Sequence, residues 1–360
     1  MSETVAIPKT RLTSLTGLRF FAALLVFGYH ALHFGGADGS GLGVFAAGMS
    51  GVSFFYIVSG FVLAWSARDA DKPQDFYRRR FARIYPSYLA VWAATSALSM
   101  LSGNTPSLVD LAPLTLLQSW VPLDFVYFAT SAVFWSLSCE AFFYLAFPFV
   151  FAFLRNLSTQ RIVGALAACI LCVFFIAALV GPIFNSAMMF WVVTIFPPVR
   201  MLEFLGGVLV AILMRRGLRS PVPLWAASVV ALGAFVLAPL APESFVRVAV
   251  TLLPFLLLVC SAATADIQDV RSIYRSKPLQ HLGNWSYGFY LLHTQVMAAF
   301  FLALGMLGVS TAGLSGLGLW AAHAGAFAAA TVAAAILFRL IEAPMERLLR
   351  PQRGVVDADH

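Results

Sequence analysis

Charged residues are scarce in this chain. Only 11% of its 360 residues are Asp, Glu, Lys or Arg, while 61% are hydrophobic and 14% aromatic. Soluble domains carry about a quarter charged residues, so this composition excludes a soluble globular protein and indicates a polytopic membrane protein. Acidic residues are the scarcer sign, 16 against 23 Lys and Arg. In such proteins positive charge collects on cytoplasmic loops, so the net charge of +7 gives no reason to expect nucleic acid as a partner. Cysteine is nearly missing too: Cys139, Cys169, Cys172 and Cys260 lie in apolar segments with no zinc-type partners close by. No metal site is expected, and the Cys169 to Cys172 spacing inside a spanning helix reads as packing. Internal repeats and low-complexity tracts are absent. No small-residue cleavage site follows the first apolar stretch, so Met1 to Leu15, with Lys9 and Arg11, is expected to lead a retained first helix that directs insertion.

Long apolar runs dominate the rest. A bilayer crossing needs about 20 apolar residues, and about ten stretches qualify by that standard. They are Ser14 to Phe34, Leu42 to Ala67, Ile84 to Leu101, Val133 to Leu154, Ile162 to Val180, Val199 to Met214, Val222 to Ala241, Phe245 to Ala265, Leu282 to Gly305, and Leu317 to Ile341. Two shorter apolar pieces, Leu111 to Leu123 and Ala187 to Phe196, contain or abut prolines and are predicted as re-entrant or interfacial segments. Lys and Arg cluster in alternate loops, as the positive-inside rule requires, which predicts cytoplasmic termini on both ends. The expected fold is an all-α polytopic membrane protein, one domain over 1–350 with a short tail at 351–360.

Within the first span, Arg19 and His30 are the ionisable groups of an otherwise apolar run. Eleven residues is close to a whole number of helical turns, so both face one side, roughly 16 Å apart. Ionisable residues inside a span are functional candidates by default. The plainer alternative is an Arg snorkelling to lipid headgroups and a His bonded to a neighbouring helix. With orientation set by loop charge, His30, Glu140 and Glu203 are predicted at a similar depth in the outer half of the membrane.

Other segments add candidates. Trp135-Ser136-Leu137-Ser138-Cys139-Glu140, followed by Tyr144, sets a carboxylate among hydroxyls and aromatics. Such a carboxylate can orient and charge-balance an imidazole, or simply fix helix packing. Gly51 to Phe61 is rich in small residues and suits close helix crossing. Arg80 and Arg83 share a helical turn at the cytoplasmic mouth of the third span, where paired guanidinium forks suit phosphate, though topology alone also accounts for positive charge there. Leu282 to His293 opens the ninth span and places His293 near the midplane, as a site residue or, the preferred reading, a packing residue.

Taken together these segments resemble acyltransferase family 3, the integral-membrane O-acyltransferases that modify glycans and other hydroxylated molecules. The Arg19 to His30 spacing is similar to the family's hallmark Arg, ten residues, His. Gly51 to Phe61, Arg80 and Arg83 with Ile84-Tyr85-Pro86, and Trp135 to Glu140 resemble its next motifs. Arg200 with Glu203-Phe204 and Gly206, Ser286-Tyr287 with Tyr290-Leu291 and His293, and Ile341-Glu342-Ala343-Pro344 resemble its later landmarks. Cys139 stands where an aliphatic residue is commoner. The resemblance implies an acyl-CoA donor, usually acetyl-CoA, used as co-substrate with no permanently bound cofactor. It also implies a hydroxyl acceptor, most often a sugar of a surface or exported glycan, and a place in the bacterial inner membrane. On that reading His30 is the general base, Glu140 orients it, Arg19, Arg80 and Arg83 hold the CoA phosphates, and Glu203, Ser138, Tyr287 and His293 support the substrates. The alternative is a proton-coupled transporter, or a glycan or acyl exporter, using His30, Glu140 and Glu203 as a relay.

Overall fold

A chain in hydrocarbon must satisfy its own backbone polar groups, and helices do so locally. In a computed structural model, residues 11–32, 42–68, 72–309 and 316–349 are described, and among them there is no strand. The long helices are α1 (Thr13–Ala31), α2 (Ser50–Ser66), α3 (Pro73–Leu101), α4 (Trp135–Leu154), α5 (Thr159–Ile183), α6 (Pro197–Arg215), α7 (Leu224–Leu237), α8 (Ala249–Ile267), α9 (Lys277–Met306) and α10 (Gly316–Leu337). Eight helical stretches among the described residues are long and apolar enough to cross a membrane, and the protein is an integral membrane protein. Their lipid-type faces are plain on α5, where Leu171 and Phe175 are exposed.

Two of the ten predicted spans fall short of that standard. Ile84 to Leu101 is the second part of α3, a 29-residue helix whose first part carries Arg78, Arg79, Arg80 and Arg83 and whose remainder is diluted by Ser, Thr, Tyr and Pro86. Val222 to Ala241 becomes α7 and one 3-10 turn, an apolar stretch of Leu224–Leu240 only. The Ala187 to Phe196 piece is not a separate re-entrant segment. It forms a short helix, Ser186–Phe190, and a π-turn, Trp191–Ile195, that run on into α6 as one candidate span, Ser186–Arg215. Pro197 and Pro198 bring no N–H groups to the ladder and hold the preceding residue extended, which breaks the rod at Phe196. Leu111 to Leu123 folds as 3-10 turns, Leu108–Thr115 and Gln118–Trp120, tied to α3 by Tyr88 Oη donating to the Pro113 carbonyl at 2.8 Å. Ser119 Oγ donates to the Trp135 carbonyl at 2.7 Å, so these turns also grip the start of α4.

The core is built on α2, which crosses α6 at backbone contact. A Cβ on Gly60 would lie 2.0 Å from the Phe204 carbonyl oxygen, and one on Gly207 would lie 2.0 Å from the Ile57 carbonyl oxygen. Small residues at a crossing let backbones approach where side chains would hold them apart. On the other side of the molecule α9 packs between α1 and α10. The start of α1 is clamped from α8, where the Asp266 carboxylate accepts from Ser14 N and Ser14 Oγ, both at 2.7 Å. A remote carboxylate thus does the work of an N-cap, satisfying an orphan N–H at the positive end of the helix dipole.

Two stability predictions follow from these contacts. Gly207→Leu should lower the apparent melting temperature of detergent-solubilised protein by the equivalent of at least about 1–3 kcal/mol, while Gly164→Leu, in open space, should leave it unchanged; equal melting would mean the helices do not meet there. Asp266→Ala should cost about 1–2 kcal/mol by the same measurement.

Candidate functional site

The bundle encloses one large cavity of about 1270 Å³ at its arginine-rich end, reached by α1, α2, α3, α4, α6 and α9. Half-buried Arg19, Arg80, Arg83 and Arg215 line it, and exposed Arg11, Arg68, Arg155 and Arg216 ring its mouth. Among its described lining residues Glu140 is the one carboxylate. Eight guanidinium groups against one carboxylate make a strongly positive chamber, and low-dielectric walls strengthen its field. Its volume exceeds the roughly 300–1,000 Å³ usual for small-ligand clefts.

The arginines are not equivalent. Arg83 is held by Glu342 at 3.0 Å and by Glu346, so its charge is already balanced within the protein. Arg19 and Arg80 have no carboxylate of the described residues within ion-pair distance. Instead the Arg19 guanidinium lies 5.9 Å from the Phe55 ring centroid, and that of Arg80 lies 5.9 Å from Tyr144 and 6.0 Å from Phe76. Aromatic faces hold a guanidinium in place while leaving its fork of N–H donors for a ligand.

Helical spacing explains which parts of α4 face the cavity. Ser136, Glu140 and Tyr144 recur every four residues and all line it, whereas Ser138 points away and is fully buried. Glu140 accepts from Tyr144 Oη and from Ser59 Oγ, the latter at 3.4 Å. Tyr287 also lines the cavity, and its Oη donates to the Ile84 carbonyl at 2.8 Å.

The histidines stand apart from this chamber. His293 Nε2 lies 3.1 Å from His30 Nδ1, His30 Nδ1 lies 2.9 Å from the Val26 carbonyl oxygen, and His293 Nδ1 lies 2.8 Å from that of Tyr290. The partner expected for His30, Glu140, is elsewhere. Tyr290 Oη bonds Ser136 Oγ at 2.7 Å, which sets α4 and α9 side by side. Glu140 lies one turn from Ser136 toward the arginine-rich end, and His293 lies one turn beyond Tyr290 in the opposite direction. The carboxylate and the imidazoles are therefore about two turns apart, roughly 10 Å along the bundle. Glu203 is separate again: fully buried, it pairs with Arg200 at 3.1 Å, while Arg200 donates to Ser53 Oγ at 3.3 Å. The single layer of His30, Glu140 and Glu203 drawn from residue counts is thus resolved into three groups with different partners among the described residues.

Sequence reasoning gives no role of its own to Ser59, names Tyr290 only within a family landmark, and reads Arg11, Arg68, Arg155, Arg215 and Arg216 only as loop charge. The four-residue rhythm of Ser136, Glu140 and Tyr144 was the available signal for the α4 face. Nothing in the chain's linear order shows that arginines from three helices and four flanking segments converge on one chamber.

No solved structure matches the chain. Among curated proteins it is similar to Acyltransferase MdmB of Streptomyces mycarofaciens, 37% identical over 97% of this chain and 95% of that protein. It is also similar to the Exopolysaccharide production protein ExoZ of Rhizobium meliloti (strain 1021), 28% identical over 86% of this chain and 93% of that protein. The family model for the acyltransferase domain, Acyl_transf_3, matches residues 12–340. Covering nearly the whole membrane bundle and the cavity within it, that match assigns the chain to the acyltransferase 3 family.

Proposed function

We propose that this protein is an O-acyltransferase that moves an acyl group, acetyl in the first instance, from acyl-CoA to a hydroxyl of a sugar in a surface or exported glycan. The observation that carries the donor is the chamber of eight arginines and one carboxylate. Its charge and size suit a polyanionic nucleotide head attached to a long neutral arm. Arg19 and Arg80, which no described carboxylate meets at ion-pair distance, are the residues assigned to the phosphates, and Arg83 is assigned to holding the chamber's wall through Glu342 and Glu346. The arginine-rich end is taken as cytoplasmic, the side where CoA is made, and the membrane as the bacterial inner membrane. The glycan acceptor draws support from the name of the exopolysaccharide production relative.

His30 is the base in this reading. Its imidazole takes the proton of the acceptor hydroxyl as that oxygen attacks the thioester carbonyl. The tetrahedral adduct collapses with loss of the CoA sulfur, which leaves as thiolate and takes the proton from the imidazolium, giving ester and free thiol. Glu140, bonded to Tyr144 and Ser59, balances charge beside Arg19 and Arg80.

Detergent-purified protein given acetyl-CoA and a panel of hydroxylated glycans should release CoA only when an acceptor is present. In folded His30→Ala that release should fall at least about 100-fold; normal turnover in the variant would sink the mechanism, and thioester cleavage with no acceptor in the panel would leave the glycan assignment unsupported. Arg80→Ala should raise KM for acetyl-CoA about tenfold with kcat nearly kept, the loss of one charge-assisted contact. Arg83→Ala should instead lower the apparent melting temperature, because it strands the buried Glu342 carboxylate. The reverse pattern would exchange the two assignments.

A further inference from the structure

The two histidines carry a consequence of their own through proton placement. A carbonyl oxygen only accepts, so the 2.8 Å contact from His293 Nδ1 to the Tyr290 carbonyl puts a proton on His293 Nδ1. In the neutral ring the lone pair then sits on His293 Nε2, the atom 3.1 Å from His30 Nδ1. His30 Nδ1 also faces the Val26 carbonyl oxygen at 2.9 Å. Two acceptors converge on that nitrogen, so it carries the proton and the lone pair of His30 is on Nε2. The opposite tautomer would turn a lone pair of His30 against both the carbonyl oxygen and the lone pair of His293.

His293 is itself held firmly. It is fully buried, its ring is stacked on Phe289 at 5.8 Å with an interplanar angle of 5°, and the turn that bears it is anchored by Tyr290 Oη on Ser136 Oγ at 2.7 Å and on the Val133 carbonyl at 3.2 Å. A ring so constrained presents its Nε2 lone pair in one direction, whereas a histidine that only filled space would need no such alignment.

We propose that His293 is the positioning residue for His30, accepting from His30 Nδ1–H so that His30 Nε2 is the atom that takes the acceptor hydroxyl's proton. The proposal rests on the reading of His30 as base. When Nε2 gains the proton, the positive charge spreads to Nδ1–H, which is already bonded to a neutral lone pair and a carbonyl. Proton count is conserved: the hydroxyl loses one, His30 Nε2 gains it, and His293 keeps its Nδ1 proton throughout. This is the office that a buried carboxylate fills in a serine-protease triad, here filled by a neutral imidazole.

The test uses the full chain in detergent, with acetyl-CoA and an acceptor that supports turnover. His293→Phe keeps a flat ring and removes the lone pair; it should cut kcat about 10- to 100-fold and leave KM for acetyl-CoA within about twofold. His293→Gln, whose amide oxygen can accept from Nδ1–H, should recover part of the lost kcat. In protein labelled with 15N-histidine, His30 should show a protonated Nδ1 and an unprotonated Nε2 in wild type, and should lose that strict preference in His293→Phe. Wild-type kcat in folded His293→Phe, or a proton on His30 Nε2 in the neutral wild-type ring, would overturn the proposal. Inactive His30→Ala beside unaffected His293→Phe would overturn this inference and leave the base intact, whereas active His30→Ala would overturn the base itself.

Discussion

A charge inside a membrane-embedded bundle has to be paired or face water, and the architecture of this protein follows from how it meets that requirement. Arg200 and Glu203 pair with each other in the dry interior between α2 and α6. Asp266 spends its charge on the start of α1. Arg83 is tied to Glu342 and Glu346 and so joins α3 to the last described turns, Phe338–Glu342 and Ala343–Leu349. Arg19 and Arg80 receive no such partner among the described residues and project from α1 and α3 into a cavity that opens at its exposed arginines. A chamber with such an excess of positive charge opposes folding through self-repulsion, and the proposed CoA donor would bring balancing negative charge.

Much of this was legible before any coordinates. Composition alone establishes the membrane class, and eight of the ten apolar runs are helices of spanning length. The ordered motifs lead to the family. What failed was depth. Counting residues from a span's edge assumes that helices start at the same plane and run straight, whereas the prolines at 197 and 198 break a longer rod at Phe196. The same assumption placed Glu140 level with His30. Depth is fixed by cross-helix bonds such as Tyr290 to Ser136 and Tyr287 to Ile84, and these leave no trace in the spacing of either helix. The partner of His30 was harder still. His293 lies 263 residues away, and a lone histidine on an apolar face reads equally as packing until its neighbour is known.

The cavity and the histidines are separate compartments, and the boundary has chemical meaning. Phe55 and Tyr290 line the chamber and lie ring to ring at 6.0 Å, while the Tyr290 ring is 6.0 Å from that of His293. Aromatic side chains thus stand where the arginine-lined space ends and the imidazoles begin. For a thioester held by its phosphates at Arg19 and Arg80 to meet a hydroxyl activated at His30, its arm must pass this pair. Arg19 and His30 lie on one helix, roughly 16 Å apart, so their separation is set by covalent geometry and does not drift with packing. A donor whose charged head and reactive carbonyl are divided by a neutral arm of matching length would reach from the arginines to the histidines, whereas a short anion would not. Water is the competing acceptor in any such transfer, because a base that activates an acceptor hydroxyl can also activate water.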